Sequence, residues 1–144
     1  MFLSTRVVAQ QPAESAPPVL PNPILVLTGL VFYEAGGKEW TRYQYSVANL
    51  SAYPDELFAA SPDLPPCGTN TAASRTWVDF YGEDGNRLNG FCAIMNHDGL
   101  AKIWFAVATG TPPPVSVFIV LTERLTETKY RSNLAPTFKG VLGK

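Results

Sequence analysis

Charge is scarce in this sequence and nearly balanced. Only 16% of the 144 residues are charged, 11 basic and 12 acidic, for a formal net charge of −1. A nucleic-acid-binding domain would carry a basic surplus, so nucleic acid is not an expected partner. Histidine occurs once, at His97, and cysteine twice, at Cys67 and Cys92. Neither CxxC spacing nor the set of about four ligands that a structural zinc requires is present, so no metal and no cofactor is expected. No apolar run reaches the roughly 18–20 residues that cross a bilayer as a helix, so no membrane span is expected. Amphipathic helical periodicity, internal repeats, a GxSxG nucleophile motif and a phosphate-cradling glycine loop are also missing.

Hydrophobic residues, by contrast, make up 46% of the chain and aromatics 12%. That mixture suits one globular domain. The two cysteines lie 25 positions apart. A disulfide that closes such a loop stabilises a fold by about 3 kcal/mol in the chain-entropy model, and it is favoured over two buried thiols. The start of the chain is not a complete signal peptide, but Val7-Val8-Ala9 before Gln10 reads like the end of one. Processing near Ala9 and an ordinary polar leader both remain open. Disulfide and leader together point to export, to the periplasm, cell surface or extracellular space.

Residues 10–23, QQPAESAPPVLPNP, hold five prolines, which exclude helix and central strand. Residues 1–23 are therefore expected to be an extended leader and proline-rich arm. From Ile24 the pattern turns to strands. Ile24 to Tyr33 is β-prone, with a bulge expected at Gly29, and Gly36-Gly37 makes a turn. Glu39 to Asn49 alternates, with Tyr43, Tyr45 and Val47 on one face. Residues 50–74 form a long connection, in which Pro54 to Phe58 suits one short helical turn.

Further strands are expected over Arg75–Tyr81, Arg87–Met95, Lys102–Ala108 and Val115–Thr122, with a polar edge strand over Thr128–Asn133. Asp84-Gly85 and Asn96 to Gly99 are turn signals between them. About seven short strands imply an all-β chain, an antiparallel β-sandwich over residues 24–134, with a small barrel as the alternative. Residues 135–144 read as a patternless tail.

The segment YQYSVANLSAYP is similar to the second strand and following loop of fibronectin-type-III and immunoglobulin-like bacterial domains. PPCGTNTAASRTWVDFYGEDGNRLNGFCAI and PPPVSVFIVLTERLTETKYRSN resemble uncharacterised bacterial exported proteins of that kind. The resemblance covers roughly residues 24–134 and implies a fold; it brings no catalytic residues. Trp77 lies between Cys67 and Cys92, but their spacing suits a loop-to-strand staple better than an inter-sheet bridge.

Candidate binding residues are aromatic. Trp40, Trp77 and Trp104 fall on strand faces opposite the more apolar one, and Tyr81 shares its face with Trp77 and Asp79. Such rings anchor protein interfaces or stack on sugars. An Arg75–Asp79 pairing beside them is a further candidate. Asn49-Leu50-Ser51 matches a glycosylation sequon. No carboxylate pair is fixed at a glycosidase separation. The expected function is non-catalytic: an interaction or structural subunit of an envelope or extracellular assembly, bound to a protein partner or to itself. A carbohydrate-binding module is the first alternative. A small hydrolase or inhibitor built on residues 50–74 is the second.

Overall fold

The computed structural model describes residues 19–61, 63–65, 67 and 73–138. The expected cleavage region, most of the proline-rich arm and the last six residues lie outside that set. Ten strands run in order: β1 (Leu25–Ala35), β2 (Lys38–Val47), β3 (Ala60–Ser61), β4 (Ala73–Ser74), β5 (Thr76–Gly82), β6 (Arg87–Phe91), β7 (Ile103–Ala108), β8 (Ser116–Glu123), β9 (Thr128–Arg131) and β10 (Ala135–Pro136). The expected count of about seven is low because β3, β4 and β10 have two residues each, too few to show alternation. The described helical residues form 3-10 turns at Leu50–Ala52, Asp55–Phe58 and His97–Ala101.

Every strand pair is antiparallel. One sheet has the order β1-β2-β7. A five-stranded sheet runs β10-β8-β5-β6, with β9 also on β8, and β3 and β4 pair alone. Period-two patterning explains the strands. On β2, Thr41, Tyr43, Tyr45 and Val47 are buried while Trp40, Arg42, Gln44 and Ser46 are half-exposed. β8, the longest apolar run, sits between β5 on one side and β9 and β10 on the other. The expected bulge is present: Leu27 pairs Tyr45 and Gly29 pairs Gln44, which leaves Thr28 as the extra residue.

Two turns close as their glycines predict. Gly36 and Gly37 both have positive φ, 63° and 75°, as a two-residue hairpin loop demands. At the β5–β6 turn only Gly85 has positive φ, because Asp84 caps the turn by accepting from the Asn86 backbone N–H at 3.0 Å. β6 stops at Phe91 rather than Met95, and Cys92 follows at once. Cys92 is disulfide-bonded to Cys67, with Cα atoms 5.8 Å apart, so the long connection is stapled to the end of β6.

The inner sides of the two larger sheets meet in one core. Tyr45 of β2, Phe80 of β5 and Phe105 of β7 bring their rings within 5.4 to 6.0 Å of one another. At each junction between the sheets an asparagine side chain substitutes for a ladder. Asn133 accepts from the Leu25 N–H at 2.8 Å and donates to the Leu25 carbonyl at 3.1 Å. Asn89 donates to the Trp104 carbonyl at 2.7 Å, which ties β6 to β7.

The described first part of the long connection is packed against the body. Tyr53, Leu57 and Phe58 are buried in the core cluster. The Tyr53 hydroxyl donates to the Pro21 carbonyl at 2.6 Å, and Thr76 donates to the Leu57 carbonyl at 2.6 Å. Pro23 is buried and Leu20 packs against the core, so the described end of the arm lies on the body.

Candidate functional site

The candidate residues divide between two outer faces. β5 presents Trp77, Asp79 and Tyr81 on the side away from the core, because Thr76, Val78 and Phe80 point inward. The register brings Thr122, Val120 and Phe118 of β8 alongside them. Tyr81 and Phe118 stack with centroids 5.4 Å apart. Arg124 lies 3.7 Å over the Trp77 ring, and Arg131 of β9 lies 3.8 Å over Phe118. Lys129 stands opposite Thr122, and Arg87 stands opposite Tyr81.

This face carries four cations, Arg87, Arg124, Lys129 and Arg131, and two anions, Asp79 and, just past the end of β5, Glu83, which accepts from the Ser116 hydroxyl. It is basic on a chain that is formally negative overall. The Trp77 indole nitrogen and one Arg124 guanidinium nitrogen are buried here with no hydrogen-bond partner.

The expected Arg75–Asp79 pairing is not formed. Residues four apart on a strand stand about 13 Å apart, a spacing that brings side chains together on a helix but not here. Arg75 instead donates to Glu123 at 2.8 Å, and Asp79 accepts from Arg87 at 2.9 Å. Gly90, which pairs with Asp79, leaves the room: a Cβ there would collide with the Arg87 guanidinium. Arg75 belongs to a structural cluster in which buried Glu123 also accepts from the Leu125 N–H at 2.9 Å and the Thr126 N–H at 3.1 Å. Burial pushes the Glu123 carboxyl up, but bonds from Arg75, Thr126 and Leu125 outweigh it and hold its pKa down at about 2.

Trp40 and Trp104 lie on the other outer face, that of β1-β2-β7. They do not adjoin Trp77, because β2 and β7 belong to a different sheet from β5. Trp40 stands opposite Ala108, and Trp104 stands opposite Gln44. Between them Arg42 is sandwiched, 4.0 Å from the Trp104 ring and 5.0 Å from Tyr33, and its Nε is buried without a partner. A shallow groove of about 480 Å³ runs beside it, lined by Gln44, Lys102 and Trp104 among others.

All three indoles are half-buried, and each has a cation of its own chain over one face, Lys38 at 5.5 Å in the case of Trp40. None stands as an uncovered stacking platform. Sequence reasoning missed the capping cations Arg42, Arg124 and Arg131. Alternation on β8 and β9 could have placed Arg131 beside Phe118, but only register assigns Arg124 to Trp77.

The sequon asparagine is already used. Asn49 accepts from the Ile24 N–H at 2.9 Å and donates to the Asn22 carbonyl at 3.1 Å. Among the described residues, no group of three or more His, Cys, Asp or Glu side chains is placed to hold a metal. Among the described residues no helix is long and apolar enough to cross a membrane. Comparisons with family models, with curated proteins and with solved structures each yield no match.

Proposed function

We propose that this chain is a non-catalytic interaction subunit of an exported assembly, built as a sandwich of fibronectin-III or immunoglobulin type. It docks an acidic protein partner through the outer face of the five-stranded sheet. The observation that carries the reading is the arginine–aromatic array of Trp77, Arg124, Phe118 and Arg131 on a face with a surplus of cations. Arginine and aromatic side chains dominate the energetic centres of protein interfaces, and a carboxylate from a partner would meet the charge surplus. The staple of Cys67 to Cys92 supports an oxidising compartment.

The test is a comparative pull-down from an extract of the source organism. The unaltered chain and an R124E/R131E variant serve as baits, with equal folding checked by circular dichroism. A partner captured by the first and lost with the second supports the reading; equal capture overturns it.

A second reading draws on the groove beside Arg42 and Trp104. Gln44, Lys102 and Arg42 offer amide and cationic donors next to an indole, a combination that suits an acidic saccharide. Affinity electrophoresis in gels containing acidic polysaccharide tests it. Retardation of the unaltered chain that disappears in W104A supports the reading; unretarded migration in every gel removes it.

A further inference from the structure

The surface that stands out beyond these faces is the outer edge of β1 over Leu30–Glu34. The β1-β2 hairpin projects past the core, and Leu30, Val31 and Phe32 are 37%, 39% and 70% exposed. Which backbone groups face outward follows from the ladders. The Thr109 N–H bonds the Glu39 carbonyl, so odd-numbered residues of β2 turn their polar groups toward β7 and even-numbered ones toward β1. Opposite those even residues stand Val31, Tyr33 and Ala35. Leu30, Phe32 and Glu34 therefore aim their N–H and C=O groups away from β2. The same logic across the bulge turns Leu25 outward, where Asn133 does meet it.

Among the described residues, β2 is the one strand that pairs β1, and nothing accepts from or donates to the outward groups of Leu30, Phe32 and Glu34. Edge strands are ordinarily protected by lysine, proline or a bulge within the exposed stretch. In the five-stranded sheet, β9 has Lys129 and Arg131; Leu30 to Tyr33 has no lysine, proline or bulge.

We propose that this edge pairs antiparallel with the same edge of a second copy, about a two-fold axis at Phe32. Charge and backbone phase select that centre. Phe32 then faces Phe32 of the other copy, and Leu30 faces Glu34 in both directions, so every outward N–H and C=O finds a complement. The two Glu34 carboxylates stay about 13 Å apart, on strand geometry. Centring on Glu34 would set like charges face to face, centring on Tyr33 would leave Leu30 against Gly36 in the turn, and centring on Val31 would run Glu34 into the bulge at Thr28. Val31 meets Tyr33 of the other copy in the closely spaced pairs, a favourable β-branched–aromatic match. A second copy is the occupant that fits, because the stretch is its own complement.

This contact goes beyond the proposed docking face and shares no residue with it. The experiment uses the full chain. Sedimentation across the micromolar range is expected to show a concentration-dependent dimer, weakened at least about tenfold by F32K, which opposes two ammonium groups. The R124E/R131E variant is expected to dimerise like the unaltered chain, which separates failure here from failure of the docking face. Under mild oxidation F32C is expected to cross-link to itself and L30C is not, because Leu30 faces Glu34. A monomer at every concentration, an undiminished F32K dimer, or equal cross-linking of L30C and F32C overturns the proposal. Should F32K fail to fold, the cysteine pair alone decides.

Discussion

Glu123 illustrates how one carboxylate can set the acid limit of a small fold. Its pKa is held near 2 against a usual 4.5. A depressed carboxyl contributes stability above the unfolded value and loses it as pH falls through the folded one. Between pH 4.5 and 2 the chain is expected to lose on the order of 3 kcal/mol, seen by urea denaturation at several pH values. E123Q is expected to flatten that limb. On the alkaline side, burial together with Tyr130 pushes the Tyr53 phenol up to about 12, and burial raises Tyr45 as well. For an acid whose folded pKa is raised, stability is complete below 10 and falls as pH climbs toward 12. Absorbance titration at the tyrosinate band is expected to show these two phenols ionising only as the fold opens.

At the scale of elements, the asparagine at each sheet junction replaces a strand. N133A would leave the Leu25 N–H and carbonyl without partners, which is expected to cost about 1–3 kcal/mol, measured as a lower urea midpoint with an unchanged slope. Reduction and alkylation of Cys67 and Cys92 is expected to cost about 3 kcal/mol, read the same way. Most elements were legible because alternation is a local signal. The bulge at Gly29, the two-glycine turn, the inward set on β2 and the polar edge at β9 all follow from residues within a few positions of one another. What alternation cannot convey is where pairing stops. β6 ends at Phe91 although Cys92 to Met95 is still β-prone, because Cys92 leaves the sheet to meet Cys67. Nor can it show that Asn133, 108 positions from Leu25, acts as a strand.

At the scale of the molecule, the candidate residues were legible as outward-facing but not as neighbours. Trp77, Asp79 and Tyr81 share a strand, so their common face was readable. The charge of that face was not, since Arg87, Arg124, Lys129 and Arg131 come from three separate segments joined only by register. The Arg75–Asp79 expectation failed for the converse reason: a spacing that suits a helix was applied to a strand. The basic face leads to an expectation for the whole chain. Its binding to an acidic partner should weaken as salt rises, with a slope that R124E/R131E reduces, measured by calorimetry at several ionic strengths.

The stitch between Leu25 and Asn133 also bears on how the chain is born. The first strand acquires its outer partner only from a residue near the far end, and Tyr45 likewise waits for the Pro136 carbonyl. A ribosome must release the chain through Pro136 before the core can shut. Until then both ends of the sheet junction stay open, and the nascent chain is expected to remain an unlocked, extended polymer.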